Sequence, residues 1–298
     1  MNATKALFAV LFLSIGINAH GNELVEPEKA DAASAPVSAP ALMPAAESKA
    51  DTNWIDVSPV HSSINTRAGM SFHKDFYAMP FTWSPDYENS YSEFIYQLST
   101  KVRVSDSNFY FAYTQKSFWQ VYNSKDSNPF RETNYNPEFF YRKTPGSKNW
   151  LNKIGADFGV EHESNGQPKP ASRGWNRSYA AIFYPTPNTL TYLKVWHVFG
   201  EASDSSKILA DNPDIIDYYG HAELHFRWQS SGAVRKGAHL MLRGNVHESK
   251  GAAQFDYTYP TGSKDMHWYF SVWKGYGESL IDYDKNITRT GLGVVFKR

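Results

Sequence analysis

Hydrophobic and polar residues alternate along most of the chain after residue 70. Phe94, Tyr96, Leu98, Val102 and Val104 are interleaved with Ile95, Gln97, Ser99, Lys101 and Arg103. Ala222, Leu224, Phe226 and Trp228 alternate with His221, Glu223, His225 and Arg227, and Met266, Trp268, Phe270 and Val272 with His267, Tyr269, Ser271 and Trp273. A period of two puts successive side chains on opposite faces of a strand. Each stretch therefore predicts a strand with one apolar face and one polar or mixed face. Twelve segments follow this pattern: 71–82, 91–104, 107–118, 134–143, 150–164, 176–185, 190–199, 215–228, 235–247, 252–259, 265–274 and 286–297. Long helical patterns are missing.

The connections sort by length. Those after the even segments are short, such as Ser105-Asp106, Thr186 to Thr189 and Pro260 to Lys264. Those after the odd segments are mostly long, such as Trp119 to Thr133, Asn165 to Trp175 and Gly200 to Asp214; Glu248 to Gly251 is the exception. An even strand count returns both chain ends to one side, and short inner turns with long outer loops are the asymmetry of outer-membrane barrels. No segment has 18 consecutive apolar residues, so spanning helices are excluded. A mean hydropathy of −0.53 fits a barrel whose strands turn half their side chains to a polar interior. The fold expected is all-β, a 12-stranded antiparallel transmembrane β-barrel. A soluble β-sandwich of similar length is the competing reading.

The N-terminus adds a compartment. Lys5 precedes an almost wholly apolar run, Ala6 to Ile17, and Ile17-Asn18-Ala19 fits small-residue cleavage. The run is too short for a span, so residues 1–19 read as a secretory signal peptide. Nine Ala and three Pro between Ala30 and Ala50 make 20–53 a flexible segment, with the folded domain at 54–298. The 30 basic and 30 acidic residues balance, which gives no sign of a nucleic-acid partner. The absence of Cys excludes disulfides and a thiol nucleophile. Aromatic residues are 16% of the chain, as interfacial girdles require.

Candidate chemistry lies in EHESNGQPKPASRGWNRSY, Glu161 to Tyr179. By parity His162 and Ser164 share a face with Ile154, Ala156, Phe158 and Val160, the face a barrel turns to lipid. Asn176 opens the next segment and can return beside His162. A Ser hydroxyl is a poor nucleophile until a base takes its proton, and the base works best when its other ring nitrogen is held. Polar groups on a lipid-facing wall are costly. The same residues also suit an ordinary loop tip, because Ser is a routine turn residue.

Six stretches resemble outer membrane phospholipase A of Gram-negative bacteria: YTQKSFWQ (Tyr113–Gln120), NPFRETNYNPEFF (Asn128–Phe140), HESNG (His162–Gly166), SRGWNR (Ser172–Arg177), DNPDI (Asp211–Ile215) and GYGESLIDYDKN (Gly275–Asn286). They span most of the predicted barrel in order and leave out Ala30–Ala50. The resemblance implies calcium-dependent hydrolysis of phospholipid acyl esters in the outer membrane, with phospholipase A1, A2 and lysophospholipase activity. It makes Ser164 the nucleophile, His162 the base and Asn176 the orienting residue. The Gly166 N–H and calcium-polarised water would meet the oxyanion. It also implies a homodimer that completes the Ca²⁺ site, with Ser127 from one subunit and Gln167 and Ser172 from the other. Asp211 matches a further calcium position. Gln167 departs from the Arg expected there, but its ligand would be the backbone carbonyl. Gln115 matches a glutamine that bonds its copy across the dimer. A passive porin or a binding barrel remain the alternatives, and neither needs a lipid-facing His162/Ser164 pair.

Overall fold

The structure, a computed structural model, describes residues 59–87, 92–146, 150–151, 153–200, 211–232 and 234–297. The expected signal peptide at 1–19 and the Ala/Pro-rich segment at 20–53 lie outside these residues.

The strands are β1 (Met70–Phe72), β2 (Phe76–Trp83), β3 (Phe94–Arg103), β4 (Phe109–Trp119), β5 (Phe130–Lys143), β6 (Gly155–Ser164), β7 (Gly174–Thr186), β8 (Thr189–Phe199), β9 (Ala222–Gln229), β10 (Gly237–Asn245), β11 (Lys250–Pro260), β12 (Met266–Gly275) and β13 (Ile287–Phe296). From β2 onward each pairs antiparallel with its neighbours in the chain, and β13 closes on β2 from Thr290↔Trp83 to Phe296↔Phe76. The result is a closed 12-stranded barrel with one extra strand. Closure leaves no edge, the condition for a sheet to cross lipid.

The alternation sorts as the sequence predicts. Leu98, Val102, Leu224, Phe226, Trp268 and Phe270 are exposed on the outer wall, whereas Ser99, Lys101, Asp157, Glu161 and His267 are buried in the lumen. Stacked aromatics gather at both ends of the wall, Trp119 on Phe130 at one and Phe109 on Phe139 at the other.

Three expected strands are corrected. Segment 71–82 is interrupted. β1 and β2 both pair with β3, but five steps from Phe72 to Tyr77 face three steps from Thr100 to Gln97. The two extra residues form a bulge at 73–75, and a bulge re-aims side chains. His73 reaches Glu138, Lys74 reaches Asn136 and Asp75 reaches Arg227, all across the lumen. Segment 215–228 is not one strand. Ile215–Tyr219 is a short helix, α1, and β9 begins only at Ala222. Ile215 and Tyr219 are its buried residues, a helical i,i+4 pair. β5 starts at Phe130 instead of 134, so the loop before it is shorter than expected.

The lumen is capped at both ends. At the end with the short turns, a 3₁₀ turn at Pro59–His61 enters the barrel mouth, and His61 Nε2 donates to the Thr189 carbonyl (3.2 Å). Ile64 packs on Phe183 and Leu190 behind it. Lys101 Nζ donates to the carbonyls of Ser62 and Ser63, and Arg142, paired with Asp157 at 2.6 Å, donates to those of Ser63 and Asn65. At the other end α1 and the β12–β13 loop cover the mouth. Tyr219 donates to the Gly277 carbonyl, and Arg131 joins Glu93 to Asp282. A porin needs an open passage, and the described residues leave none of porin width.

Candidate active site

β6 ends at Ser164 and β7 begins at Gly174, so the loop between them closes an antiparallel pair at the long-loop end of the barrel. The register sets His162 opposite Asn176 and Ser164 opposite Gly174. Phe158 and Val160 on the same face are exposed to lipid. His162 and Ser164 therefore sit on the outer wall, half-buried, with Glu161 turned into the lumen.

His162 Nδ1 donates to Asn176 Oδ1 at 2.8 Å. This bond holds the ring plane and leaves Nε2 as the basic nitrogen. The Ser164 hydroxyl lies alongside instead of bonded: among the described residues no hydrogen bond joins it to the ring. Gly174 shows how close the two are. A Cβ built on it would stand 3.2 Å from Ser164 Cβ and 3.8 Å from His162 Cε1. The missing side chain at 174 keeps open the space that hydroxyl and ring share.

A second layer fixes the first. The pairing from Tyr135↔Ser164 to Glu138↔Glu161 brings Pro137 opposite His162. Proline has no N–H to give the His162 carbonyl, which accepts from Asn136 Nδ2 at 2.9 Å. Asn165, buried directly after the serine, ties the loop together. Its Oδ1 accepts from the Gln167 and Arg173 amides, and its Nδ2 donates to the Ala171 carbonyl. Gly166 between them takes φ 65°, a conformation glycine adopts without strain. Asn212 Oδ1 accepts from the Gly174 N–H at 2.8 Å. On the luminal side Arg177 pairs with Glu163 at 2.8 Å and Glu161 at 3.1 Å, and Lys194 with Glu161 at 2.8 Å, so the wall under the pair is braced by charge.

Two of the calcium candidates meet. Ser172 Oγ donates to Asp211 Oδ2 at 2.7 Å, and Lys169 Nζ stands 3.6 Å from Asp211 Oδ1. Gln167 lies on the same β6–β7 loop. Ser127 belongs to another, the β4–β5 loop, where it ends a 3₁₀ turn in the left-handed conformation. Tyr283 of the β12–β13 loop donates to Asp214, so three outer loops converge beside the serine. Burial pushes the Tyr283 hydroxyl well up, and the Asp214 carboxylate adds to it. Gln115 faces lipid inside a polar row. Tyr113 donates to its Oε1 and its Nε2 donates to Ser117 Oγ, both at 3.2 Å. Across the wall Gln115, Tyr135 and Ser164 are successive register partners, so one strand separates the glutamine from the serine.

The description Phospholipase A1 belongs to the family model that matches residues 60–296. This chain belongs to the phospholipase A1 family. It is 39% identical over 188 residues to phospholipase A1 of Escherichia coli (strain K12), covering 62% of this chain and 60% of that protein. It is 32% identical to a putative phospholipase A1 of Neisseria meningitidis serogroup B over 76% of this chain and 65% of the relative. The match thus spans less than two thirds of these curated relatives. Among solved structures, outer membrane phospholipase A from Escherichia coli superposes with a TM-score of 0.67 at 31% identity, covering 76% of this chain and 94% of that one. The Salmonella typhi outer membrane phospholipase dimer with bound calcium gives 0.68 at 31%, covering 80% and 97%. With its closed 12-stranded wall, this phospholipase A1 family member is an outer-membrane β-barrel protein.

Sequence reading missed Asn165, Gly174 and Asn212 as parts of the site, and the Asn136–Pro137 pair behind it. Asn165 and Asn212 stand inside the HESNG and DNPDI stretches. A proline in the middle of an alternating strand was the available signal for the last.

Proposed function

We propose that this protein is a calcium-dependent outer-membrane phospholipase that hydrolyses acyl esters of phospholipids, at either acyl position, and of lysophospholipids. The observation that carries the reading is the His162–Asn176 hydrogen bond on a lipid-facing wall, with Ser164 beside the ring. A nucleophile turned toward lipid meets the lipid ester directly.

In this reading His162 Nε2 takes the proton of Ser164 Oγ as the oxygen attacks the ester carbonyl carbon. The imidazolium returns that proton to the departing lysolipid oxygen, and water repeats the sequence on the acyl-serine. Asn176 keeps Nδ1–H engaged throughout, so the ring cannot turn away. The Gly166 amide, on the loop that Asn165 fixes, would donate to the oxyanion.

The hard oxygens of Ser172 and Asp211, already in contact under a Lys169 cation, suit Ca²⁺, with the Gln167 carbonyl beside them and Ser127 from a second copy. Bound there, calcium supplies positive charge next to the developing oxyanion. The active form is a homodimer in which Gln115 meets its copy across the lipid-facing contact.

The test is fatty-acid release from mixed detergent–phospholipid micelles by wild type and Ser164→Ala, with Ca²⁺ or EDTA. Calcium-dependent release lost in the variant is expected. No release from folded, calcium-loaded, dimeric wild type overturns the assignment.

A further inference from the structure

The lumen holds a second constellation of ligand-type side chains, on the half of the barrel with the short turns. Asp75 comes from the bulge between β1 and β2, His239 from β10 and Asp256 from β11. One ligand atom of each lies within 4.8 Å of the others. His239 Nδ1 is 3.1 Å from Asp256 Oδ2 and 3.7 Å from Asp75 Oδ2. Such separations approach the spacing between ligands on one ion with bonds of about 2.0–2.2 Å.

Each donor is oriented from behind. Asp256 Oδ1 accepts from Ser271 Oγ at 2.6 Å and Gln254 Nε2 at 2.9 Å. Arg227 holds Asp75 through two bonds of 2.8 Å. His239 Nε2 meets His225 Nδ1 at 2.9 Å, and His225 Nε2 lies 3.3 Å from Glu223 Oε1.

Two carboxylates thus converge on one imidazole nitrogen, with Asp256 Oδ2 and Asp75 Oδ2 on the same side of the His239 ring. A divalent cation seated among the three atoms would take one donor from each of three separate chain segments. Next to the three atoms, Asp75 and Asp256 face Arg227, with Lys297 at the edge on Thr258, while Glu223 farther along has Lys194 and Arg243 beside it. A polar cavity of ≈ 240 Å³, lined by Asp75, His225, His239 and Asp256, supplies water for the remaining coordination positions.

We propose that Asp75, His239 and Asp256 bind one divalent transition metal of the Zn²⁺ or Mn²⁺ class. The imidazole nitrogen sets this site apart from the all-oxygen calcium candidates at the outer loops. In the metal-free protein Arg227 is the cation on Asp75. The bound ion shares that carboxylate and ties the bulge to β10 and β11. The inference is independent of the hydrolase reading.

Cobalt is the probe. EDTA-stripped, detergent-purified protein is dialysed against Co²⁺ with excess Ca²⁺, and bound Co²⁺ is measured by elemental analysis and visible absorption. About one Co²⁺ per chain is expected in wild type and in Asp211→Asn. His239→Gln should weaken it at least about tenfold, with calcium-dependent melting unchanged. Arg227→Gln, which removes the competing cation, should tighten it. Absence of stoichiometric Co²⁺ in wild type overturns the proposal and leaves an ordinary luminal hydrogen-bond network. Loss of Co²⁺ in Asp211→Asn also overturns it, because the ion then sits at the outer loops. If His239→Gln does not fold, the wild-type spectrum decides: bands of an oxygen-only site sink the assignment.

Discussion

Replacing Asn176 with alanine isolates what an orienting amide contributes. Among the described residues, the one side-chain bond the change removes at His162 is that of 2.8 Å to Nδ1. A neutral hydrogen bond contributes about 0.5–1.5 kcal/mol net. If that is the whole role of Asn176, kcat falls about 2- to 13-fold, since about 1.4 kcal/mol is a factor of ten. The loss is small beside the roughly 10⁴-fold effect of disabling a triad aspartate. The difference is one of charge: a neutral amide fixes the ring but gives the imidazolium little electrostatic support. The assay is initial fatty-acid release under saturating Ca²⁺, with Ser164→Ala as the zero. A loss beyond 10³-fold would show that Asn176 does more than orient, and full activity would show that the bond is idle. Asn176→Asp gives the complementary test. A carboxylate beside the ring favours the imidazolium and raises the His162 pKa. The base form then appears only at higher pH, so the acid limb of the rate profile moves up.

Gly174→Ala puts a methyl 3.2 Å from Ser164 Cβ. Carbon contacts prefer about 3.5–4.0 Å, so the serine yields by a few tenths of an ångström. A fall in kcat of order tenfold with unchanged melting is expected, and an unaffected rate would refute the close approach. Asp211→Asn keeps a partner for Ser172 but removes the charge, so a calcium titration of release should shift about tenfold or more to higher concentration. Asp282 concerns stability. Burial works to raise its pKa, but Arg131 and Lys285 outweigh this and hold the carboxyl below its usual range. Its contribution is therefore complete above the unfolded value near 3.8 and is lost as pH falls through the lower folded value. Thermal melts should lose stability below about pH 4 in wild type and show a flatter acid limb in Asp282→Asn.

The barrel was legible because lipid and lumen impose opposite demands on alternate residues, as Leu98 and Ser99 illustrate. The bulge was not, because His73, Lys74 and Asp75 break the alternation only as a short polar run, and their reason for facing inward lies on distant strands. α1 was hidden because Ile215 and Tyr219, four residues apart, share a face in a strand as they do in a helix. The structure settles it by burying 215 and 219 against the mouth. At the site, parity placed His162 and Ser164 on the outer wall and the start of the next segment brought Asn176 beside them, while their roles rested on the resemblance. Gly174 could not be placed in this way, since what matters there is an atom that is missing. Asn212 reaches the site from another loop, a contact no local pattern announces.

Closure of the wall joins β2 to β13, strands from opposite ends of the folded chain. Assembly consequently has no partial product with a finished surface. Until residues 290–296 are zipped to 76–83, two rows of peptide groups face hydrocarbon, and the plug at 59–65 has no sealed vessel to stopper. Any truncation that removes β13 therefore also orphans the far edge of β2, the strand that follows the bulge. Damage at the last strand is felt at the first.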